Sequence, residues 1–342
     1  MKIKELKIGI ICFNLAYLKT YAYICIVIKY KTKIMNYFEF TKRFPDENSA
    51  IDFIVETKYK DGYVCPKCGC VHRVYRQKYN RRFLYCNNCK SEFSALKGTI
   101  FENTHLDLRM WLYAINLVNV SRKGVSAKQL QREMGMGSYE SAWRMLHQIR
   151  KAMENEEYKE TFEAIVEIDE TYVGGKPRKE NRHDDSDKDD ENKPKRGRGT
   201  SKTPVIGVKE RNTGKVHAVV ANYNDEGKRL SGKQLFAVLK KVCKPNTTVM
   251  TDQFSGYNVL DKENECNFFR LKVDHTVAYS LGDGIHTNGI ESFWAVLKRG
   301  VYGIFHNVSV KYMQRYVDEF CFRLNHRNEE EAFNCLVNLA VK

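Results

Sequence analysis

Apolar residues follow two kinds of pattern along the chain, and the change between them separates a helical part from a sheet part. Residues 105–120 are apolar enough for a buried helix, and helical spacing recurs up to residue 153. From residue 161 the apolar runs become short and are bounded by turn residues, which predicts strands. The predicted strands cover residues 164–168, 205–208, 216–220 and 248–251. A helix is predicted at residues 235–242, and another near residue 290.

Two of these strands end in an aspartate. Asp169 follows the first strand and Asp252 follows the fourth. The order of strands and helices is that of a ribonuclease-H-like sheet, in which the first and fourth strands lie side by side, so we expect the two carboxylates to share a metal ion. Because side chains alternate along a strand, Asp169 and its neighbour Glu170 point to opposite faces, and Asp169 is the predicted ligand.

The helix near residue 290 supplies a third carboxylate. Ile290, Phe293 and Leu297 are spaced to form one apolar stripe, which predicts packing against the sheet. Glu291 lies on another face, from which it can reach the same metals, and Lys298 follows two turns later, where it can meet a phosphate. Three carboxylates from separate elements can hold two divalent cations, Mg²⁺ or Mn²⁺, as phosphodiester chemistry requires.

A separate metal site is predicted upstream, where 17 residues separate two C-x-x-C pairs. Cys65 and Cys68 form the first pair, and Cys86 and Cys89 form the second. Four thiolates with this spacing bind one tetrahedral Zn²⁺, so residues 61–96 are predicted to form a zinc ribbon. The total of 11 cysteines is odd, which indicates a reducing compartment rather than a disulfide framework.

The charge balance favours a polyanionic partner. The chain has 57 Lys and Arg against 42 Asp and Glu, a net charge of +15, and such an excess attracts nucleic acid. Basic side chains alternate with tyrosines around the zinc ribbon, as on surfaces that grip a DNA backbone; the alternative is that the ribbon is a purely structural clip. The candidate DNA contacts of the whole chain are Arg76, Arg81, Arg82, Arg144, Arg150, Lys195, Arg196, Arg198 and Arg299.

Residues 104–155 have the outline of a helix-turn-helix. Ser126 and Ser138 are the predicted N-caps of two helices, and Gly135 ends the first of them. A pair of helices joined by a short turn is the arrangement of many DNA-binding modules. The second helix carries basic side chains that we expect to face DNA: Arg144, His147, Arg150 and Lys151.

The N-terminal end of the chain is apolar. Residues 8–28 are similar to a signal peptide or a membrane span, but Lys19 near their middle is costly in a bilayer, and no small-residue cleavage site is obvious. We interpret residues 1–34 as an upstream extension, with Met35 as the working start; a membrane anchor is the alternative. Residues 35–60 are predicted to be a helical lead-in to the zinc ribbon.

These regions together predict an α+β multidomain protein. Its parts are the small zinc ribbon, the helical helix-turn-helix-like region, a ribonuclease-H-like α/β catalytic domain over residues 160–310, and C-terminal helices over residues 311–342.

Six segments of the sequence carry a family resemblance. They are CPKCG, CNNC, EIDETYVGGK, TDQFSGY, HTNGIESFWAVLKRGVYGIFHNVS and YVDEFCFRLNHR. Through them, residues 35–327 resemble the insertion-sequence transposases of the Merlin-like group, within the DDE transposases. The resemblance implies a zinc-ribbon N-terminus, a ribonuclease-H-like core, Mg²⁺ dependence, and strand transfer between transposon ends and target DNA. It places the acidic triad on Asp169, Asp252 and Glu291, and the basic residue on Lys298.

The sequence leaves an alternative for the third metal ligand and alternatives for the function. Some relatives use Asn as the third ligand, and Asn288 lies on the same helix face as Glu291. The alternative functions are a catalytically silent or repurposed zinc-ribbon DNA-binding protein, and a nuclease that cuts without joining.

The resemblance also sets expectations for partners and location. A transposase brings two DNA ends together, so we expect a homodimer that binds terminal repeats and target DNA. The expected location is the cytoplasm at the nucleoid, or the nucleus in a eukaryotic host, with no stable membrane partner.

Overall fold

Two β-sheets and the helices around them make up the structure. The computed structural model describes residues 35–154, 162–174, 202–221, 230–262, 265–273, 285–327 and 331–342. Within these residues the architecture is mixed α+β, as predicted. None of the helices in these ranges has the length and apolar character needed to cross a membrane. The extension at residues 1–34 and the loop with Lys195, Arg196 and Arg198 lie outside the described residues.

The first sheet is small and packs with two short helices. The helices are α1 (Tyr37–Arg43) and α2 (Glu47–Lys58), and the strands are β1 (Val74–Arg76), β2 (Phe83–Cys86) and β3 (Ser91–Ser94). Asn36 and Asp46 start the helices, because each side chain accepts a backbone N–H of the first turn. The strands pair antiparallel in the order β1-β2-β3, and their inward side chains share one apolar core with the helices.

Three further helices form the middle of the chain, and the second and third begin as predicted. They are α3 (Leu108–Val120), α4 (Ala127–Glu133) and α5 (Tyr139–Met153). Ser126 accepts the N–H of Gln129 at 3.1 Å, and Ser138 accepts the N–H of Glu140 at 3.2 Å. Gly135 follows α4 with a φ of +60°, which glycine adopts without strain. The two predicted caps and the stop are therefore confirmed.

The second sheet has five strands, and four of them are those predicted from the sequence. They are β4 (Ile165–Val173), β5 (Thr203–Glu210), β6 (Val216–Val220), β7 (Thr248–Thr251) and β8 (Phe269–Lys272). The strand order is β6-β5-β4-β7-β8. β4 pairs antiparallel with β5 and parallel with β7. The sequence prediction did not include β8, a four-residue strand at the edge of the sheet whose apolar residues Phe269 and Leu271 are exposed.

Helices cover both faces of this sheet. On one face, α6 (Gly232–Val242) shares an apolar core with β4, β5 and β7. On the other face, α7 (Asn288–Gly300) and α8 (Met313–Asn325) pack against β4, β5 and β6. The last helix, α9 (Ala332–Ala340), packs against α3 and α5, so the chain returns to the helical region at its C-terminal end.

A buried ion network joins α5 to α8. Glu319 is 1% exposed and lies between Arg150 and Arg323, and Arg150 Nε donates to its carboxylate at 2.6 Å. Burial works against the charge of Glu319, but the two guanidinium groups outweigh it and hold the pKa of this carboxyl below its usual value. Arg150 itself is 3% exposed. The prediction that it contacts DNA is therefore wrong, because its guanidinium is used to join two helices.

Replacing Glu319 by alanine should leave Arg150 and Arg323 buried without their carboxylate. We expect the free energy of unfolding, measured by urea denaturation, to fall by about 3–5 kcal/mol, the cost of an uncompensated buried charge. Glu140→Ala removes an exposed pair with Arg144 one turn away and is the matched control, with an expected loss of less than about 0.5 kcal/mol. A similarly small loss for Glu319→Ala would show that the network does not stabilise the fold.

Candidate functional site

The four paired cysteines converge on one point of the small sheet. Their Sγ atoms all lie within 4.8 Å of one another, with Cys65 Sγ 3.6 Å from Cys89 Sγ and Cys68 Sγ 3.6 Å from Cys86 Sγ. All four are free thiols. Sulfur atoms bound to tetrahedral Zn²⁺ at about 2.3 Å are separated by roughly 3.8 Å. The cluster therefore fits one structural zinc ion, as the sequence predicts.

Two of the arginines predicted to grip DNA from the ribbon turn inward instead. Arg76 pairs with Asp52 of α2 at 2.7 Å. Arg82 pairs with Glu47 of the same helix and donates to the backbone oxygens of Thr104 and Leu106 at 3.0 and 3.2 Å. These contacts fasten the ribbon to the helices, which supports a structural role for both arginines.

The other predicted DNA contacts have varied surroundings. Arg81 pairs with Asp52 but is 43% exposed, and Arg144 is 71% exposed. Arg299 is exposed on α7. His147 of α5 is 3% exposed and packs against aromatic rings, so it does not face solvent as the sequence suggested. The basic surface left on these elements is smaller than the sequence predicts.

Asp169 and Asp252 occupy matching positions on adjacent strands. The parallel pairing of β4 with β7 sets Val166 beside Val249 and Glu167 beside Met250. Continuing this register by two residues places Asp169, at the middle of β4, beside Asp252, which directly follows β7. The predicted end of the first strand at residue 168 is wrong, because β4 continues to Val173 by pairing with β5. Residues at matching positions of neighbouring strands point to the same face of a sheet. This register therefore places the two carboxylates near each other, and the charge of Asp252 acts on Asp169.

The Asp169 carboxyl is held in a setting that resists its ionisation. Burial is the main cause, and the negative charges of Glu170 and Asp252 add to it, so that its pKa rises to about 7. The indole of Trp294 opposes this shift by donating from Nε1 to Asp169 Oδ2 at 3.0 Å. The same electrostatics reach Lys298: burial lowers the pKa of its ammonium group, while Asp169 favours the charged form.

Glu291, the third predicted carboxylate, lies three residues before Trp294 on α7, but its described hydrogen bond is to Thr287. Thr287 donates its hydroxyl to Glu291 Oε1 at 3.0 Å. Among the described residues, only the cysteines form a group of three or more whose ligand atoms all lie within 4.8 Å. Asp169, Asp252 and Glu291 therefore do not form a group of this closeness in the structure. Asn288, the alternative ligand, is exposed at the first position of α7.

Sequence reasoning missed two side chains that support the aspartates. Tyr257 is fully buried and donates its hydroxyl to Glu170 Oε2 at 2.9 Å. Glu170 directly follows Asp169, and Tyr257 lies five residues after Asp252, so this bond ties the two acidic segments together. Trp294 is the second of these side chains, because its indole donates to Asp169. The spacing of acidic residues in the sequence does not indicate that Tyr257 or Trp294 would bind them.

Loss of one thiolate should abolish zinc binding. Cys86→Ser is expected to reduce the zinc content of the purified full chain from about one ion to none, because three thiolates no longer complete the tetrahedral site. Elemental analysis by mass spectrometry measures this. Cys70→Ser is the control: Cys70 lies outside the cluster, so zinc should be retained. Full zinc in the Cys86 variant would contradict the assigned ligand set.

The raised pKa of Asp169 predicts a stability cost at neutral pH. In the metal-free protein its folded pKa is about 7 against an ordinary value of 3.8, so the folded state binds the proton more tightly and stability falls as the pH rises through this window. Asp169→Asn should therefore be more stable than the wild type at pH 8, by on the order of 2 kcal/mol after allowance for partial exposure.

Urea denaturation with chelator at several pH values tests this prediction. The stabilising effect of Asp169→Asn should shrink below about pH 4, where the aspartate is protonated in both states. An effect that does not change with pH would mean that Asp169 ionises normally.

Two known domain families match the sequence. Residues 161–325 match the ISXO2-like transposase domain, and residues 45–92 match a transposase zinc-ribbon domain. The first match contains the three carboxylates and Lys298, and the second contains the four cysteines.

Two curated relatives are similar over most of their own length. An uncharacterised protein in transposable element ISH50 of Halobacterium salinarum is 28% identical over 263 residues, which is 75% of this chain and 84% of the relative. An uncharacterised transposase-like protein of Haemophilus influenzae is 26% identical over 105 residues, which is 31% of this chain and 81% of the relative. The two domain matches and the relative in ISH50 together support an IS1595-family transposase, and a transposase with a zinc-ribbon domain implies DNA as its partner.

Proposed function

We propose that the chain catalyses metal-dependent cleavage and transfer of DNA strands as the transposase of an insertion sequence. The observation that carries this proposal is the placement of Asp169 and Asp252 at matching positions of adjacent parallel strands. Burial raises the pKa of Asp169 most, the charge of Glu170 adds to the rise, and the charge of Asp252 adds a smaller part. A pair of like charges held in this way is suited to neutralisation by a divalent cation.

The strand order supports a ribonuclease-H-like catalytic domain. Such a sheet requires the first and fourth strands to be neighbours, and β4 and β7 are paired in parallel. The motifs quoted from the sequence, and their order along the chain, support the finer assignment to the Merlin-like group of DDE transposases. Both assignments are part of the proposal.

The proposed ligands fit Mg²⁺ or Mn²⁺ chemically. Asp169, Asp252 and Glu291 offer carboxylate oxygens, the donors that these hard cations prefer. Bound cations would supply activation of the attacking oxygen and stabilisation of the leaving oxygen of the phosphodiester. The chain's own part is to hold its carboxylates in place: Trp294 orients Asp169, and the bond between Glu170 and Tyr257 fixes the two acidic segments.

Glu291 is a better third ligand than Asn288. Glu291 is half-buried on α7, whereas Asn288 is exposed at the start of that helix. Because one oxygen of Glu291 accepts from Thr287, a change of side-chain rotamer at Glu291 is part of the proposal.

Phosphate contacts are proposed for the basic side chains near this site. Lys298 lies close enough to Asp169 for the two charges to interact, and the exposed Arg299 follows it. α4 and α5 are proposed as a helix-turn-helix that contacts DNA through Arg144. The proposed active complex is a homodimer on paired DNA ends, located with the host DNA.

Strand-transfer assays with Mg²⁺ and DNA carrying the element's own ends test the proposal. Asp169→Asn, Asp252→Asn and Glu291→Gln should each lower cleavage and joining by at least about 100-fold, since each removes a charge that positions the cations. DNA-end binding, measured by gel shift, should be kept. Two control variants should stay active: Asn288→Ala, and Glu163→Gln, which removes an exposed carboxylate paired with Lys244.

Because the three proposed ligands do not form a close group among the described residues, one rival function is that of a DNA-binding protein without catalysis. In this case the wild type would bind DNA ends but would neither cut nor join them with Mg²⁺ or Mn²⁺. Cutting without joining would instead identify a nuclease.

A further inference from the structure

Glu167 is a buried carboxylate with no part in the proposed metal site. It is 2% exposed and lies on β4 two residues before Asp169, hence on the same face of the sheet. Its Oε2 accepts the backbone N–H of Ile290 at 2.9 Å, and its Oε1 accepts from Arg211 Nε at 2.9 Å. His286 Nδ1 is 3.4 Å from Oε1. Both oxygens are therefore used by groups around the entry to α7.

The contact with Ile290 supplies a cap that α7 lacks within its own sequence. Thr287 precedes the helix but makes no side-chain cap hydrogen bond. Ile290 is the third residue of α7, so its N–H has no acceptor within the helix. The carboxylate of Glu167 satisfies this donor, and a negative charge is favourable at a helix N-terminus. The start of α7 is thereby bonded to the strand that carries Asp169.

Three further features fix the same end of the helix. Lys209 of β5 donates to the backbone oxygen of Gly289 at 3.1 Å, and Arg211 donates to the backbone oxygen of His286. Gly289 itself lies against Glu167: a Cβ at this position would be 2.7 Å from Glu167 Oε2. The close approach of the helix to the carboxylate therefore depends on glycine.

One turn further on, α7 is bonded to β4 a second time. Trp294 donates to Asp169, and its ring lies on Gly207, which pairs with Asp169 across β4 and β5. A Cβ on Gly207 would be 2.5 Å from the indole. Glu291 lies between the two bonded residues, Ile290 and Trp294. Successive residues of a helix are rotated by about 100°, so two fixed points on one strand set the direction in which Glu291 leaves the helix.

We propose that Glu167 is a positioning residue for the metal site: by bonding the N-terminus of α7 to β4, it sets the orientation from which Glu291 joins Asp169 and Asp252. This inference rests on the proposed function. It assigns Glu167 no contact with DNA or metal. If Glu167 were purely structural, its substitution would lower the stability of the fold without a specific effect on Glu291. Measuring metal binding and stability separately distinguishes the two roles.

Mn²⁺ binding to the full chain without DNA, measured by electron paramagnetic resonance, tests the proposal. Glu167→Gln keeps the size of the side chain but cannot accept from Ile290 and Arg211 together. We expect it to retain zinc and fold and to weaken Mn²⁺ binding about 10- to 100-fold, as loss of a supporting partner does at other metal sites. Glu319→Gln, a buried carboxylate on the ion network away from this site, is the control for general destabilisation and should leave Mn²⁺ affinity unchanged.

A double-mutant cycle separates positioning from simple stability. If Glu167 acts through Glu291, then adding Glu167→Gln to Glu291→Gln should weaken Mn²⁺ binding little further. Gly289→Ala disturbs the same contact from the helix side, should give the same pattern, and keeps the test open if Glu167→Gln does not fold. The indole N–H resonance of Trp294, one of 3 tryptophans, should shift in both variants, because α7 moves relative to Asp169.

The outcomes distinguish the two proposals. Mn²⁺ binding that depends on Asp169 but is unchanged in Glu167→Gln and Gly289→Ala would overturn the positioning role alone. Losses that simply add in the double mutant would overturn it as well. If the wild type shows no Mn²⁺ binding that depends on Asp169, the proposed function fails and the positioning role fails with it.

Discussion

Asp169 and Asp252 carry like charges at matching positions of adjacent strands, and the fold has to hold them there against their repulsion. The β4–β7 pairing fixes their backbones. The Tyr257 hydroxyl binds Glu170 behind them, and the Trp294 indole binds Asp169 in front. In each bond the tyrosine hydroxyl or the tryptophan indole donates to a carboxylate. These bonds offset part of the repulsion among the acidic side chains before any cation is present.

The N-terminal regions are joined to this sheet by charges buried between helices. Glu319 of α8 binds Arg150 of α5, and α9 packs back onto α3 and α5. The zinc ribbon is in turn fastened to α2 through Arg76 and Arg82. Such links join the ribbon and the helical region to the five-stranded sheet. They also bury or pair Arg76, Arg82 and Arg150, so these three arginines contribute less exposed positive charge than the sequence suggests.

Local signals in the sequence were sufficient for much of the fold. The cysteine spacing, the serine caps of α4 and α5, and the existence of four strands depend on nearby residues, and the structure contains them. The sequence ended the first strand before Asp169, whereas β4 continues to Val173 because its pairing with β5 extends it. What the sequence could not reveal depends on partners far along the chain. Arg150 is on the polar side of a predicted helix, yet its partner Glu319 comes from α8. In the sequence, Glu167 has no feature that separates it from other strand residues. Its role depends on contacts with Ile290 and Arg211, which are distant along the chain.

Anomalous X-ray diffraction tests most directly whether Asp169 and Asp252 hold a divalent metal. Crystals of the full chain soaked in Mn²⁺ should show a manganese peak at the manganese absorption edge, between the carboxylates of Asp169 and Asp252. The zinc at Cys65, Cys68, Cys86 and Cys89, located at its own edge, serves as an internal control. A zinc peak with no manganese between the two aspartates, or with manganese bound elsewhere, would contradict the account.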